Sequence, residues 1–159
     1  MKTKIGVVWL TLLCALALDI LPLPTWILWL RPSWTLLVLI YWVMMIPDRI
    51  SVGYAFILGV LLDLLEGTVL GQHAVAMVLV IYLVAKFYKR MQVFAIQQQM
   101  LMVFLLLLLY KLIIFILQGF LGQLPTSLLY WISILVGTLL WPWIYLLLQG
   151  WRNRIPEEF

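Results

Sequence analysis

The stretch MLMVFLLLLLYKLIIFIL, residues 100–117, carries one charged side chain, Lys111, in an otherwise apolar run. At 1.5 Å per residue it forms a helix about 27 Å long, close to the roughly 30 Å of a bilayer's hydrocarbon core. Such a run reads as a transmembrane helix, and the surrounding chain is of the same kind. Of 159 residues 67% are hydrophobic and 10% are charged, far from the composition of a soluble domain. The length suits five to seven spans with short connections and leaves no room for a soluble domain. The expected fold class is therefore all-α, a polytopic membrane helix bundle, with residues 1–159 forming a single membrane domain. The net charge of +4 does not point to nucleic acid, because the basic residues lie between apolar stretches rather than on one patch.

Working outward from 100–117, a glycine-containing loop through Pro125 leads to a sixth span at 128–149, in which Trp141-Pro142-Trp143 predicts a kink. Upstream, a fourth span at 72–87 exits through Lys86, Lys89 and Arg90 into a polar linker containing Gln97, Gln98 and Gln99. A third, 50–66, ends at Gly67 as a helix C-cap. The second, 33–46, is bounded by Pro32 and Pro47 and is only about 21 Å long, so it thins the membrane or borrows residues from its flank. The first, 5–21, is closed by Pro22 and Pro24. Its basic start resembles a secretory signal, but Asp19-Ile20-Leu21-Pro22 lacks a small-x-small cleavage pattern, which predicts an uncleaved span. Bulky Leu12-Leu13 before Cys14 argues against a lipoprotein site. Trp26, Trp29 and Trp34 around Arg31-Pro32 suit the headgroup level, and Trp131, Trp141, Trp143 and Trp151 are expected to anchor span ends. No internal repeat is visible.

Orientation follows from a count. With the N-terminus in the cytoplasm, Lys2, Lys4, Arg49, Lys86, Lys89, Arg90, Arg152 and Arg154 all fall inside, Arg31 falls outside and Lys111 lies within the membrane. Six transmembrane helices, N-in and C-in, satisfy the positive-inside rule; the reverse orientation would translocate those eight charges.

Three ionisable residues lie deep within spans: Asp19, Asp63 and Lys111. Each costs at least about 2.5–3.5 kcal/mol on insertion scales and calls for a partner, a water-filled cavity or a function. Counted from the cytoplasmic helix starts, their depths are about 21, 20 and 17 Å. Similar depth suggests that Lys111 pairs with Asp63, or else with Asp19, with Glu66 near the rim. The alternative is that Lys111 snorkels to the interface and Asp19 is hydrated there. Gly59, Asp63, Gly67 and Gly71 recur every four residues, which suggests helix packing by small residues plus a cap. His73, the chain's one histidine, sits beside the outer turn and reads as a hydrated interfacial side chain.

Enzyme signatures give consistent negatives. No HExxH or histidine–carboxylate cluster suggests a catalytic metal, no Gly-x-Ser-x-Gly elbow accompanies a histidine, and no glycine-rich phosphate loop is present. The single cysteine excludes an intrachain disulfide. No catalytic residue, cofactor or metal is expected.

Three motifs in order carry a resemblance: Arg31-Pro32-Ser33-Trp34 leading to Tyr41-Trp42, the Gly59/Asp63/Gly67/Gly71 stretch, and Leu140-Trp141-Pro142-Trp143. Together with size, span order and short basic termini, they make the chain resemble the MreD family of rod shape-determining membrane proteins over essentially its whole length. That resemblance implies a non-enzymatic scaffold in the bacterial inner membrane, crossing it several times. It implies a place in the cell-elongation machinery that synthesises side-wall peptidoglycan. The implied partners are an MreC-like protein and, in the wider complex, MreB, RodZ, RodA and its transpeptidase partner. Lys111 and Asp19 match no motif of that family. Such proteins also look broadly like the six-helix substrate-binding subunits of vitamin transporters, a fold-level analogy that would make the Asp63 region a ligand pocket. A generic membrane assembly factor is a third reading.

Overall fold

Apolar runs broken by proline, glycine and short polar turns favour helices, and the computed structural model, which describes residues 2–21, 33–46, 50, 52–67, 70–122 and 129–154, is helical throughout its regular segments. Among the described residues there are six α-helices and no strand: α1 (Lys2–Ile20), α2 (Trp34–Met45), α3 (Val52–Glu66), α4 (Gln72–Val93), α5 (Ile96–Phe120) and α6 (Leu129–Arg154). The Arg31-Pro32 segment with Trp26 and Trp29 lies outside the described residues.

Where α4 meets α5 the structure differs from the sequence reading. α4 continues past the apolar run to Val93, and Gln97, Gln98 and Gln99 form the first turn of α5 rather than a linker. Lysine, arginine and glutamine are good helix formers, so the hydropathy boundary marks a change in side-chain polarity and not the end of backbone hydrogen bonding. The side-chain amide of Gln99 donates to the carbonyl of Met91 at 2.9 Å, which joins the two helices across their short connection. α6 remains helical through Pro142, whose fixed φ is itself helical. A non-helical backbone inside a helix occurs at Phe87 of α4 (φ −110°, ψ 15°).

α2 sits at the centre. Every side chain from Thr35 to Met44 is buried, and α1, α4 and α6 pack against it. A helix that is apolar all round is either enclosed by protein or set in lipid, and α2 is enclosed. Its twelve residues span only about 18 Å, less than the hydrocarbon core, and they are covered by longer neighbouring helices. α3 pairs with α4, α5 with α6, and α4 with α5 around it.

Polar contacts fix α2 at three levels. At its N-terminus, the buried Asp19 of α1 accepts from the amide of Trp34 (3.0 Å), the amide of Thr35 (3.0 Å) and the Thr35 hydroxyl (2.5 Å). Three residues before its end, the Trp42 indole N–H donates to Thr11 Oγ1 at 2.9 Å, while that hydroxyl donates to the carbonyl of Val8. Near its C-terminus the Gln92 side-chain amide donates to the carbonyl of Met44 at 2.6 Å. Tyr41 stacks edge-on against Tyr145 of α6 at 5.5 Å, with Trp141 beside that ring at 6.2 Å. Trp141 is thus a fully buried core residue and not the interfacial anchor its sequence context suggested; its neighbour Trp143, two positions on, is 73% exposed. Residues two apart on a helix face different ways, and α2 occupies the side that Trp141 faces.

The outer faces are as apolar as the inner ones. Leu101, Leu105 and Ile116 of α5 and Leu135, Leu139 and Leu146 of α6 are all exposed. Two described stretches, Ile96–Phe120 and Trp131–Gly150, are long and apolar enough to cross a membrane.

Replacing Asp19 with alanine is expected to strip two amides of α2 of their acceptor and lower stability by about 1–3 kcal/mol. Asp19→Asn, which keeps one acceptor oxygen, should lose less. Thermal unfolding in mild detergent checks this; equal midpoints for wild type and Asp19→Ala would show that the contact does not hold α2.

Candidate functional site

The deeply placed charges were the sequence's strongest functional signal, and two of them turn out to do the same job. Asp63 lies three residues before the end of α3, with its side chain wholly covered. α3 stops at Glu66, where Gly67 takes the left-handed conformation (φ 71°) that ends helices readily. Gly71, also left-handed (φ 98°), is the N-cap of α4. Both positions favour glycine because a Cβ is strained at positive φ. This returns the chain so that the first amides of α4 point at Asp63. Asp63 Oδ2 accepts from the amide of Gly71 at 2.9 Å, and Oδ1 accepts from the amide of His73 at 3.1 Å.

His73 adds a side-chain contact, its Nδ1 lying 2.7 Å from Asp63 Oδ1. Its Nε2 is 3.5 Å from Glu66 Oε2, so the imidazole bridges two carboxylates of α3. With a side-chain exposure of 13% this is not the hydrated interfacial histidine of the sequence reading. The reason is the turn: two left-handed glycines place residues 63 and 73 face to face across the hairpin. On its other side the ring lies 6.3 Å from that of Tyr110 in α5. Lys111, next in sequence, is partly buried.

Gly59 explains how α3 comes close enough. A Cβ built there would overlap the Cα of Ala74 and stand 2.7 Å from its amide nitrogen, so α4's backbone lies directly on the glycine. Gly53, one and a half turns earlier, faces open space. Of the remaining sequence candidates, Arg31 lies outside the described residues. Trp34 opens α2, with its amide on Asp19 and its side chain partly buried in a groove. That groove, about 260 Å³, has α2 as its floor (Trp34, Val38) and α1 (Leu10, Cys14) and α6 (Ile144, Leu147) as walls. Its existence was not legible in the sequence, because it depends on which helices flank α2. Among the described residues no group of three or more His, Cys, Asp or Glu side chains is arranged to hold a metal ion.

What the cluster can do chemically is join helices. A carboxylate facing the unpaired amides and positive end of a helix dipole gains charge-assisted hydrogen bonds of about 1.5–3 kcal/mol each, comparable to the cost of putting the charge in the membrane. Gly59→Ala is expected to push α4 off α3 and destabilise the protein by roughly 1–3 kcal/mol. The matched Gly53→Ala should be neutral or slightly stabilising. Comparing the two midpoints of thermal unfolding in detergent tests the close approach, and equal effects would refute it.

Comparison with known proteins bears on the same chain. No solved structure matches it. A relative from Haemophilus influenzae described as rod shape-determining protein MreD is 35% identical over 162 residues, covering 98% of each chain. The family model described as rod shape-determining protein MreD matches residues 1–151. With match and relative both running nearly end to end, this chain belongs to the MreD family of rod shape-determining proteins, which gives it a role in cell shape.

Proposed function

We propose that this protein is a non-enzymatic scaffold of the side-wall peptidoglycan machinery, crossing the bacterial inner membrane six times with both termini in the cytoplasm. In this reading residues 1–159 are one membrane domain that holds the transmembrane helix of an MreC-like partner, within a wider complex of MreB, RodZ, RodA and its transpeptidase. The observation that carries it is the use of the buried carboxylates. Asp19 and Asp63 accept bonds from the N-termini of neighbouring helices, which knits the interior together and leaves apolar outer faces as the available contact surface. In lipid, helices associate through close packing rather than through a hydrophobic drive. The groove over α2 offers a recess for this, with small or short side chains at Thr11, Cys14 and Ala15 on one wall. The distribution of basic residues supports the orientation, with eight of ten Lys and Arg on the cytoplasmic side. In that orientation both aspartates lie in the outer half of the membrane.

The decisive experiment is purification of the tagged protein from gently solubilised native membranes, with mass spectrometry of what accompanies it. An MreC-like protein in stoichiometric amount is the expected result; transporter ATPase subunits or a tightly bound vitamin would overturn the reading. Cys14, exposed and the chain's single cysteine, tests the docking face. Cysteines scanned along the partner's transmembrane helix should cross-link to it at positions three or four apart. If no position cross-links while the partner still copurifies, docking is on another face.

A further inference from the structure

A second groove lies between α4 and α5, away from the carboxylate clasps. It encloses about 210 Å³ and is almost purely apolar, with Leu83, Phe87 and Met91 from α4 facing Met102, Leu105 and Leu109 from α5. From Leu83 to Met91 it extends about 12 Å along the helix axis, roughly two fifths of the hydrocarbon core. One end is marked by charge. Lys86, Lys89 and Arg90 are all exposed in the last turns of α4. The Lys86 ammonium lies 5.9 Å from the centre of the Phe87 ring and the Arg90 guanidinium 6.0 Å from it, so two cations flank a ring that itself lines the groove. Residues 86 and 90 are one turn apart and share a helix face.

No described carboxylate is placed to neutralise this cluster. Asp63 and Glu66 lie beside the first turn of α4, some fourteen residues and about 20 Å from Lys86. Asp19 belongs to the N-terminal end of α2. An apolar groove lined by a ring that two cations flank matches one amphiphile: a negatively charged phosphate on a hydrocarbon chain. Basic pockets between transmembrane helices bind anionic headgroups in this way.

We propose that the α4–α5 groove binds an anionic phospholipid, with its phosphate held between Lys86 and Arg90 and an acyl chain laid over Phe87 between Leu83 and Leu105. In the orientation proposed above the site faces the cytoplasmic leaflet; the lipid preference does not depend on that orientation.

The test uses the full-length protein in mild detergent, titrated with phosphatidylglycerol or phosphatidylcholine of the same acyl chains and followed by native mass spectrometry. Phosphatidylglycerol is expected to bind at least about tenfold tighter. The double variant Lys86→Gln/Arg90→Gln should lose that preference, since each basic side chain near an anionic headgroup is worth about fivefold. Leu105→Trp, at a half-exposed position where a larger side chain meets the groove, should weaken both lipids alike. Equal binding of the two lipids by the wild type, or an unchanged preference in the double variant with an unchanged unfolding midpoint, would overturn the proposal. The leaflet is read separately by labelling Lys89→Cys, in a Cys14→Ser background, with an impermeant maleimide. Labelling from the cytoplasmic face supports the assignment, and labelling from the outer face overturns the orientation without touching the lipid result.

Discussion

A carboxylate held among apolar helices needs donors, and the cheapest donors in such a bundle are the amides that a helix leaves unpaired in its first turn. This protein uses that fact twice. Asp19, near the end of α1, takes the first amides of α2; Asp63, near the end of α3, takes the first amides of α4. In each case the charge neutralises the positive end of the following helix and fixes where that helix begins relative to its predecessor. The rest of the bundle depends on this placement. α2 can sit in the centre with its apolar surface covered on all sides only because its polar N-terminus is satisfied from within the protein.

The same feature explains what was legible in the sequence and what was not. Helix positions were legible, since long apolar runs ended by proline or glycine leave few alternatives, and the structure's helices fall on those runs. The aspartates were legible as anomalies, but their backbone partners were not. Every residue except proline carries an amide, so a sequence search for a partner to Asp63 weighs visible charges such as Lys111 and passes over Gly71 and His73. The cue was present in Gly67 and Gly71, two residues suited to left-handed backbone, flanking a turn with an acid before it and a histidine after. Enclosure was likewise hidden. α2 and residues 100–110 of α5 are both strongly apolar, yet α2 is covered from Thr35 to Met44 while α5 exposes Leu101 and Leu105, a difference that arises from how the helices pack.

Trp141 and Gly59 show the limit from the other side. Tryptophan in a membrane sequence suggests the headgroup level, but a helical period of 3.6 residues separates Trp141 from Trp143 by about 200°, so one points at α2 and the other outward. Which is which cannot be read without the neighbour. Gly59 was legible as a packing residue from its spacing, whereas Gly53, equally plausible by composition, meets nothing. Only the atom it touches, the backbone of Ala74, separates a required glycine from a permitted one.

On the scaffold function proposed above, these constraints bear on how a bundle of largely apolar helices would hold others in place. A scaffold must keep its own helices in register while its partners pull on its surface. Hydrophobic contact supplies little of that rigidity, because lipid solvates a leucine as well as another leucine does. Directional bonds that have no substitute in hydrocarbon are better suited: a helix sliding off its clasp strands an aspartate and two or more amides with nothing to replace them. The interior clasps therefore resist displacement, while the outer surface remains apolar and adaptable. Rigid inside and largely apolar outside is the division that binding several membrane partners in turn would require.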